Sequence, residues 1–427
     1  MLVKATSLSY EQLQQYAGIE IQGLSLLNKV EITGYRKYGA DNFTYQKMPA
    51  LQFSYSLFNA PQSPVFKTLS MGNETIPGYL DTADFLPVDL NGDGLPGFLF
   101  SNDQSTFYLE PKGGGNYSFP QSLPSFPVNR DIQDGEFSLR DIDGNGQLDL
   151  VVSAPAEAGY YQNNNNGGWE NFQPFRNYPI DIANRGMETA SLNANGKTDL
   201  LLAGKEDIVI NYGEGESGYG PGKRVLNENG FPLIKEDYNR ELVTFADMFG
   251  DGLAHRVRIT NGSVECWPCL GYGRFGKKVI FDNAPVFQEH FNNKRLYLAD
   301  ITGSGTSDLV YIYGDRVELF LNQNGNSFSS PVRINLPDML TDIDQISFSD
   351  ISGNGTACLV FSKMTPVPVH YYYNFAGEIT DAKGHKRDSL KPFLLNEINN
   401  NTGRITSIDY CSSTKFSLED KLAGGPG

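Results

Sequence analysis

The residues best placed to do chemistry recur in six short strings: VDLNGDGLPGFLF, RDIDGNGQLDLVV, ASLNANGKTDLLL, ADMFGDGLAHRVR, ADITGSGTSDLVY and SDISGNGTACLVF. Their shared pattern, D-x-[DNS]-G-[DNS]-G-x-x-D, resembles a calcium loop, in which oxygens at positions 1, 3, 5 and 9 surround a hard cation. Only the second copy supplies four side-chain oxygens, from Asp141, Asp143, Asn145 and Asp149. The first has Gly97 at position 9, the third keeps one carboxylate, Asp199, and the fourth has Phe249 and His255 at ligand positions. The fifth offers Asp300 and Asp308 with Thr302 and Ser304 between them, and the sixth ends in Cys358. Six calcium sites are therefore excluded. Asp, Asn and Ser also close tight turns by accepting backbone N–H groups, with Gly at positive φ, and that is the expected role of these loops. Any bound calcium is expected at Asp141, Asp143, Asn145 and Asp149, and no other cofactor is expected.

Other chemical signals fail on context. Cys266-Trp267-Pro268-Cys269 matches C-x-x-C, but a redox pair opens a helix in a βαβ setting and this one lies in a third strand of its repeat. Gly213 to Gly218 matches G-x-G-x-x-G yet is followed by Tyr219-Gly220-Pro221-Gly222, a hairpin loop with no helix to aim at a phosphate. Gly196-Lys197-Thr198 has Ser191 where a P-loop requires glycine. The four histidines, His255, His290, His370 and His385, lie in different regions. With no H-E-x-x-H and no nucleophile elbow, no catalytic constellation is nominated.

The spacing of the motif says what must position it. Its first residues, Asp89, Asp141, Ser191, Asp247, Asp300 and Asp350, are 52, 50, 56, 53 and 50 residues apart, a period that means one supersecondary unit per repeat. In each unit an apolar run enters the motif and another leaves it, as in Leu296-Tyr297-Leu298 and Leu309-Val310-Tyr311. A third strand follows, as in Val317 to Leu321, then an Asn/Gly turn and a short fourth strand. Four strands per period describe a blade, so the expected fold is an all-β, six-bladed β-propeller with FG-GAP/VCBS-like repeats plus flanking β segments. The expected domains are 1–60, a flanking segment, 61–392, the propeller, and 393–427, the start of a following β module. Leu51 to Tyr55 or Val30 to Thr33 are the candidates for the strand that closes the last blade.

Composition agrees. In 427 residues there are 45 Gly and 23 Pro, with 12% aromatic and only 20% charged residues, which suits turns and short strands rather than long helices. The net charge of −16 argues against nucleic acid or an anionic membrane surface as partner. No apolar stretch reaches a membrane span, and the N-terminus lacks a Sec-type signal pattern. Four cysteines are too few for a disulfide scaffold and are read as thiols.

Certain strings are more specific than the motif. Val264-Glu265-Cys266-Trp267-Pro268 running into Leu270-Gly271-Tyr272-Gly273-Arg274-Phe275-Gly276, the closing Leu394 to Glu397 and Ser412 to Phe416, and Pro49 to Tyr55 resemble the middle region of the B component of bacterial insecticidal toxin complexes. One departure is Cys269, where the family pattern has asparagine. The resemblance implies a non-catalytic docking and gating role in a protein secreted from a bacterium without a Sec signal. In such toxins the B and C components form a β-shell around a toxic cargo. The B-component propeller closes that shell, docks on the pore-forming A component and opens the path for the cargo. An integrin-like calcium-loop propeller for adhesion or ligand binding is the alternative.

In each unit the connections opposite the motif are long and carry apolar residues: Leu123 to Val128, Phe231 to Tyr238, Pro285 to Phe291 and Leu336 to Leu340. Exposed apolar side chains there would need a partner. Phe231, Tyr238, Leu336 and Leu340 are thus the expected contacts with the pore component.

Overall fold

The computed structural model describes residues 3–12, 15–16, 19–20, 25–39, 42–56, 64–80, 85–101, 105–123, 137–154, 157–164, 168–179, 188–193, 195–227, 229–234, 239–288, 290–375 and 391–423. Six antiparallel four-stranded sheets follow one another along the chain. The first comprises Phe85–Val88, Gly97–Ser101, Thr106–Leu109 and Gln121–Ser122. The second comprises Phe137–Arg140, Asp149–Ala154, Glu157–Tyr161 and Gln173–Pro174. The third is Glu188–Ala190, Asp199–Ala203, Asp207–Asn211 and Lys223–Leu226, and the fourth Leu242–Ala246, His255–Thr260, Ser263–Trp267 and Val279–Ile280. The fifth holds Leu296–Ala299, Asp308–Ile312, Arg316–Phe320 and Val332–Asn335.

The sixth sheet has three local strands, Gln345–Ser349, Cys358–Lys363 and Val369–Tyr373, and takes its fourth, Lys67–Thr68, from far upstream. This corrects the expectation that Leu51 to Tyr55 or Val30 to Thr33 would complete it. Those residues belong instead to a separate six-stranded sheet, ordered Lys4–Gln12, Ser25–Tyr38, Leu51–Tyr55, Leu395–Asn399, Ile405–Ser407, with Asn42–Lys47 on the far edge of Ser25–Tyr38. The two ends of the chain meet there. Ser56 fixes the crossing: its backbone exchanges hydrogen bonds with Phe393 and Leu394, its Oγ donates to the Lys391 carbonyl, and Leu394 N donates back to Oγ at 2.9 Å.

Burial explains the strand composition. Asp308–Ile312, the second strand of its sheet, is buried at every position, because neighbouring sheets cover both its faces; its sequence is accordingly continuous and apolar after Asp308. The outer strand Val332–Asn335 alternates buried and exposed, the signature of one covered face. Every consecutive pair of sheets shares packed side chains. Val88 and Leu99 meet Phe137 and Leu150, Phe175 stacks on Tyr160 and edges Tyr219, and Leu201 and Ile210 meet Trp267 and Phe275. Val257 and Cys266 meet Leu309 and Tyr311, and Val310 and Leu319 meet Leu359 and Phe361. The order then returns to its start, since Phe85, Phe98 and Leu109 of the first sheet pack with Val360 and Tyr372 of the sixth. Each fully buried Leu, Val or Phe contributes about 1.5–3 kcal/mol by leaving water.

One helix, Ser413–Leu422, lies among the described residues where only strands were expected. Ser412 caps it, its side chain accepting from Thr414 N.

Candidate functional site

The six motif loops join first and second strands and share one geometry. In five copies the leading Asp accepts the N–H of the glycine five residues on: Gly94 to Asp89 at 2.7 Å, Gly146 to Asp141 at 2.8 Å, Gly252 to Asp247 at 2.7 Å, Gly305 to Asp300 at 2.9 Å and Gly355 to Asp350 at 2.6 Å. These glycines have positive φ, +87° at Gly305 for example, where a side chain would be strained. The last Asp does a second job. Asp149, Asp199 and Asp308 each accept from a backbone N–H exactly fourteen residues on, at Asn163 (2.9 Å), Gly213 (2.9 Å) and Asn322 (2.8 Å). Each also accepts from Ile142, Leu192 or Ile301 within its own loop. The carboxylate thereby pins the motif to the end of the third strand. Burial raises the pKa of all three, that of Asp308 to about 8.

The second copy gathers Asp141, Asp143 and Asp149, with ligand atoms within 4.8 Å of one another. Every one of their oxygens already accepts an N–H. Asp141 takes Gly144, Asn145 and Gly146; Asp143 takes Asn145 N and Nδ2 and Gln162 Nε2; Asp149 takes Ile142 and Asn163. Asn145 Oδ1 accepts from Gln147 N at 2.7 Å. A calcium ion would have to share each of these oxygens with an N–H donor, from the backbone or, at Asp143 Oδ2, from the Asn145 and Gln162 amides.

A second acidic cluster, Asp247, Asp251 and His255, escaped the sequence reading because His255 was counted only as a missing carboxylate. Its ring replaces that carboxylate functionally: Nδ1 accepts from Cys269 N at 2.9 Å, again fourteen residues on. A backbone N–H can only donate, so Nε2 carries the ring proton and gives it to Asp251 Oδ1 at 3.0 Å. With both nitrogens committed, the neutral ring has no lone pair for a metal, and the donor set does not fit one. The first copy solves the same problem by deletion: Gly97 offers no acceptor, and the residue fourteen on, Pro111, has no N–H.

The C-x-x-C cysteines are buried and unpaired. Burial lifts the Cys266 thiol to about 12, which leaves no thiolate for redox chemistry.

The expected partner contacts fare differently from one another. Phe231 is buried, against Phe275 at 4.6 Å between centroids and the Arg256 guanidinium at 4.8 Å. Leu336 is buried and Leu340 half-buried, because their backbones fold back onto the preceding turn, donating to Asp315 O and Gly314 O. Tyr238 lies outside the described residues. The apolar residues that do stand out on these connections are Ile234, Val286, Met339 and Ile343, joined by Val367 on a second-to-third-strand turn. Sequence reasoning also missed Arg256, which is fully buried between Phe231 and Phe245 and donates to Glu188 and to Pro232 O. Its strand, His255–Thr260, carries two arginines, and nothing in the string marks Arg256 as the buried one.

A family profile described as the insecticide toxin TcdB middle/N-terminal region matches residues 320–425, and an FG-GAP-like repeat matches residues 89–152. No curated protein sequence matches the chain. Among solved structures, a chain of the Photorhabdus luminescens Tc holotoxin pore is 29% identical with a TM-score of 0.83, over 99% of this chain and 18% of that one. The TcdB2–TccC3 crystal structure is 26% identical with a TM-score of 0.62, over 99% of this chain and 19% of that one. This chain therefore spans less than a fifth of the solved chains it matches, at 18% and 19% of their length. Family profile and fold together support a B-component region of the insecticidal Tc toxin kind.

Proposed function

We propose that this region is a closed six-bladed β-propeller that docks on the pore-forming component of a toxin complex and gates release of an enclosed cargo. It acts without catalysis, in a secreted complex. Six four-stranded sheets, and a packing order that returns from the sixth to the first, support the closed ring. The ring occupies residues 61–392. The flanks 1–60 and 393–427 go to the shell formed with the C component, since Leu51–Tyr55 and Leu395–Asn399 pair in one sheet, except that the helix Ser413–Leu422 lies against the ring.

The observation that carries docking is the set of exposed apolar tips opposite the motif loops. Ile234, Val286, Met339, Ile343 and Val367 range from 47% exposed at Ile343 to 71% at Val286. Each sits on a connection with a tie beside it: Arg256 Nε donates to Pro232 O, Gly262 N to Pro285 O, Leu340 N to Gly314 O, and Met364 N to Asp344 Oδ1. Apolar side chains on rigid supports are what a partner surface requires. The motif-side turns are mostly polar, with Leu270 and Tyr272 of the fourth sheet exposed as well. The adhesion alternative needs loops that gather cations, whereas these motif carboxylates are spent on backbone N–H groups.

The test is binding of the pore component to the triple variant Ile234→Asp, Val286→Asp, Met339→Asp. Affinity should fall by about tenfold or more with little change in unfolding midpoint. Loss of binding only on changing motif-side turns, such as Asn322 to Asn326, would reverse the face assignment.

A further inference from the structure

We infer that the helix Ser413–Leu422 is a latch across the seam inside the sixth sheet, between Val369–Tyr373 and Lys67–Thr68, the place where the ring can open. The inference rests on the closed-ring reading above. In the other five sheets the four strands follow one another along the chain. The fourth strand of the sixth, Lys67–Thr68, instead belongs to the segment that runs on to Phe85–Val88, the first strand of the first sheet. The ring is therefore closed inside the sixth sheet by non-covalent pairing, Lys67 with Tyr372 and Thr68 with Tyr371, and Leu69 N donates to His370 O.

The helix straddles that seam on the motif face. On the sixth-sheet side, Thr414 Oγ1 donates to Gly353 O at 2.7 Å, and Ser412 Oγ donates to the same carbonyl. On the first-sheet side, Lys421 Nζ lies 2.7 Å from Asp93 Oδ2 and 3.4 Å from Glu110 Oε1. Leu418 packs so near Gly113 that a Cβ there would meet its Cδ1 at 2.8 Å. Thus two motif loops on opposite sides of the seam are bridged by ten helical residues.

The bridge is strong where it holds and easy to release as a whole. Asp93 is 8% exposed and Lys421 17%, so removing the ammonium leaves two carboxylates facing one another in a partly dry site. A ten-residue helix with one buried side chain, Thr414, has little stability of its own. Once its two anchor points are lost it has no reason to stay folded on the ring. A ligand or partner that competes for Asp93 or for the helix would therefore loosen the seam without touching the other junctions.

Hydrogen exchange on the full chain tests this, comparing wild type, Lys421→Glu, Lys421→Arg and the charge swap Lys421→Asp with Asp93→Lys. Lys421→Glu should speed exchange at Leu69 and Val369 to Tyr373 by about tenfold or more, with the strands Asp199–Ala203 and Asp308–Ile312 unchanged. Lys421→Arg should resemble wild type, and the swap should restore much of the protection. Unchanged protection at the seam in Lys421→Glu, or equal acceleration in all six sheets, overturns the latch. Fast exchange at Leu69 and Val369 to Tyr373 already in wild type would overturn the closed ring and the latch with it.

Discussion

The fourth and fifth sheets solve one structural problem with different chemistry. In both, the last motif residue must accept a backbone N–H fourteen residues on, or leave it buried and unpaired. The fifth uses a carboxylate, Asp308, and the fourth an imidazole, His255. Asp308 serves two buried donors, Asn322 N and Ile301 N, from a fully buried position. His255 serves one and passes its own proton to Asp251 at the protein surface. Oxygens arranged as in a calcium loop are therefore, in this molecule, first of all acceptors for backbone N–H groups. What the position demands is a lone pair, and a carboxylate is only one source of it.

The comparison breaks most visibly at Asp308. Asp308→Leu strands two buried N–H groups and should lower unfolding free energy by about 2–6 kcal/mol, at 1–3 for each orphaned donor. Asp308→Asn keeps one acceptor and should lose about half as much. The same pair reports on protonation. With a folded pKa of about 8 above an unfolded value near 3.9, the folded state holds a proton that the unfolded chain has released. The contribution of this group is thus fully present below about pH 4 and is lost as pH rises towards 8. Urea unfolding of wild type should show stability falling between pH 6 and pH 8, by up to about 1.4 kcal/mol per unit, relative to Asp308→Asn. Parallel pH profiles for the two proteins would show that Asp308 is ionised in the folded state.

His255 sharpens the same contrast with a smaller effect. Asparagine can reproduce both bonds of the ring, Oδ1 accepting and Nδ2 donating, so His255→Asn should cost about 1 kcal/mol, whereas His255→Leu orphans Cys269 N and should cost about 2–4 kcal/mol. His255→Asp restores the usual residue type but places a third carboxylate beside Asp247 and Asp251. It should be worse than asparagine, and equal stability of the two would show that charge at this position is of no account.

Much of the repeat was legible because its signals are local. Six motifs at near-constant spacing marked the first and second strands, and the hairpin Leu395–Asn399 with Ile405–Ser407 followed from its Asn-rich turn. The specific Trp-Pro string also has a local physical sense. Trp267 donates its indole N–H to Asn229 O at 2.8 Å, and Gly273, at φ +68°, lies where a Cβ would strike Ile210. The closing strand was illegible because Lys67–Thr68 is too short to show a period, while Leu51 to Tyr55 has one and uses it in another sheet. The partner face was misread at Phe231 and Leu336 for a related reason. An apolar residue in a long connection looks the same in sequence whether it faces water or folds back, and the fold-back depends on turns far along the chain, such as Gly314 and Asp315. The Ser412 cap was present in the sequence; the ten residues after it carry no strong apolar face, so nothing announced the helix.

The smallest effect expected is that of a chelator. If backbone N–H groups already satisfy Asp141, Asp143 and Asp149, calcium adds only what it gains by sharing their oxygens, and a weakly bound ion stabilises by RT ln(1 + [L]/Kd). Thermal unfolding in millimolar calcium and in excess chelator should therefore differ by no more than about 1 °C, since an ion present below its Kd contributes less than about 0.4 kcal/mol. Asp143→Asn should leave that small difference unchanged, because an asparagine Oδ1 can still accept from Asn145 N. A calcium-dependent midpoint that rises with concentration and vanishes in Asp143→Asn would instead assign an ion to Asp141, Asp143, Asn145 and Asp149. The second motif would then differ from its five companions in kind, as a loop in which shared oxygens serve backbone and cation together.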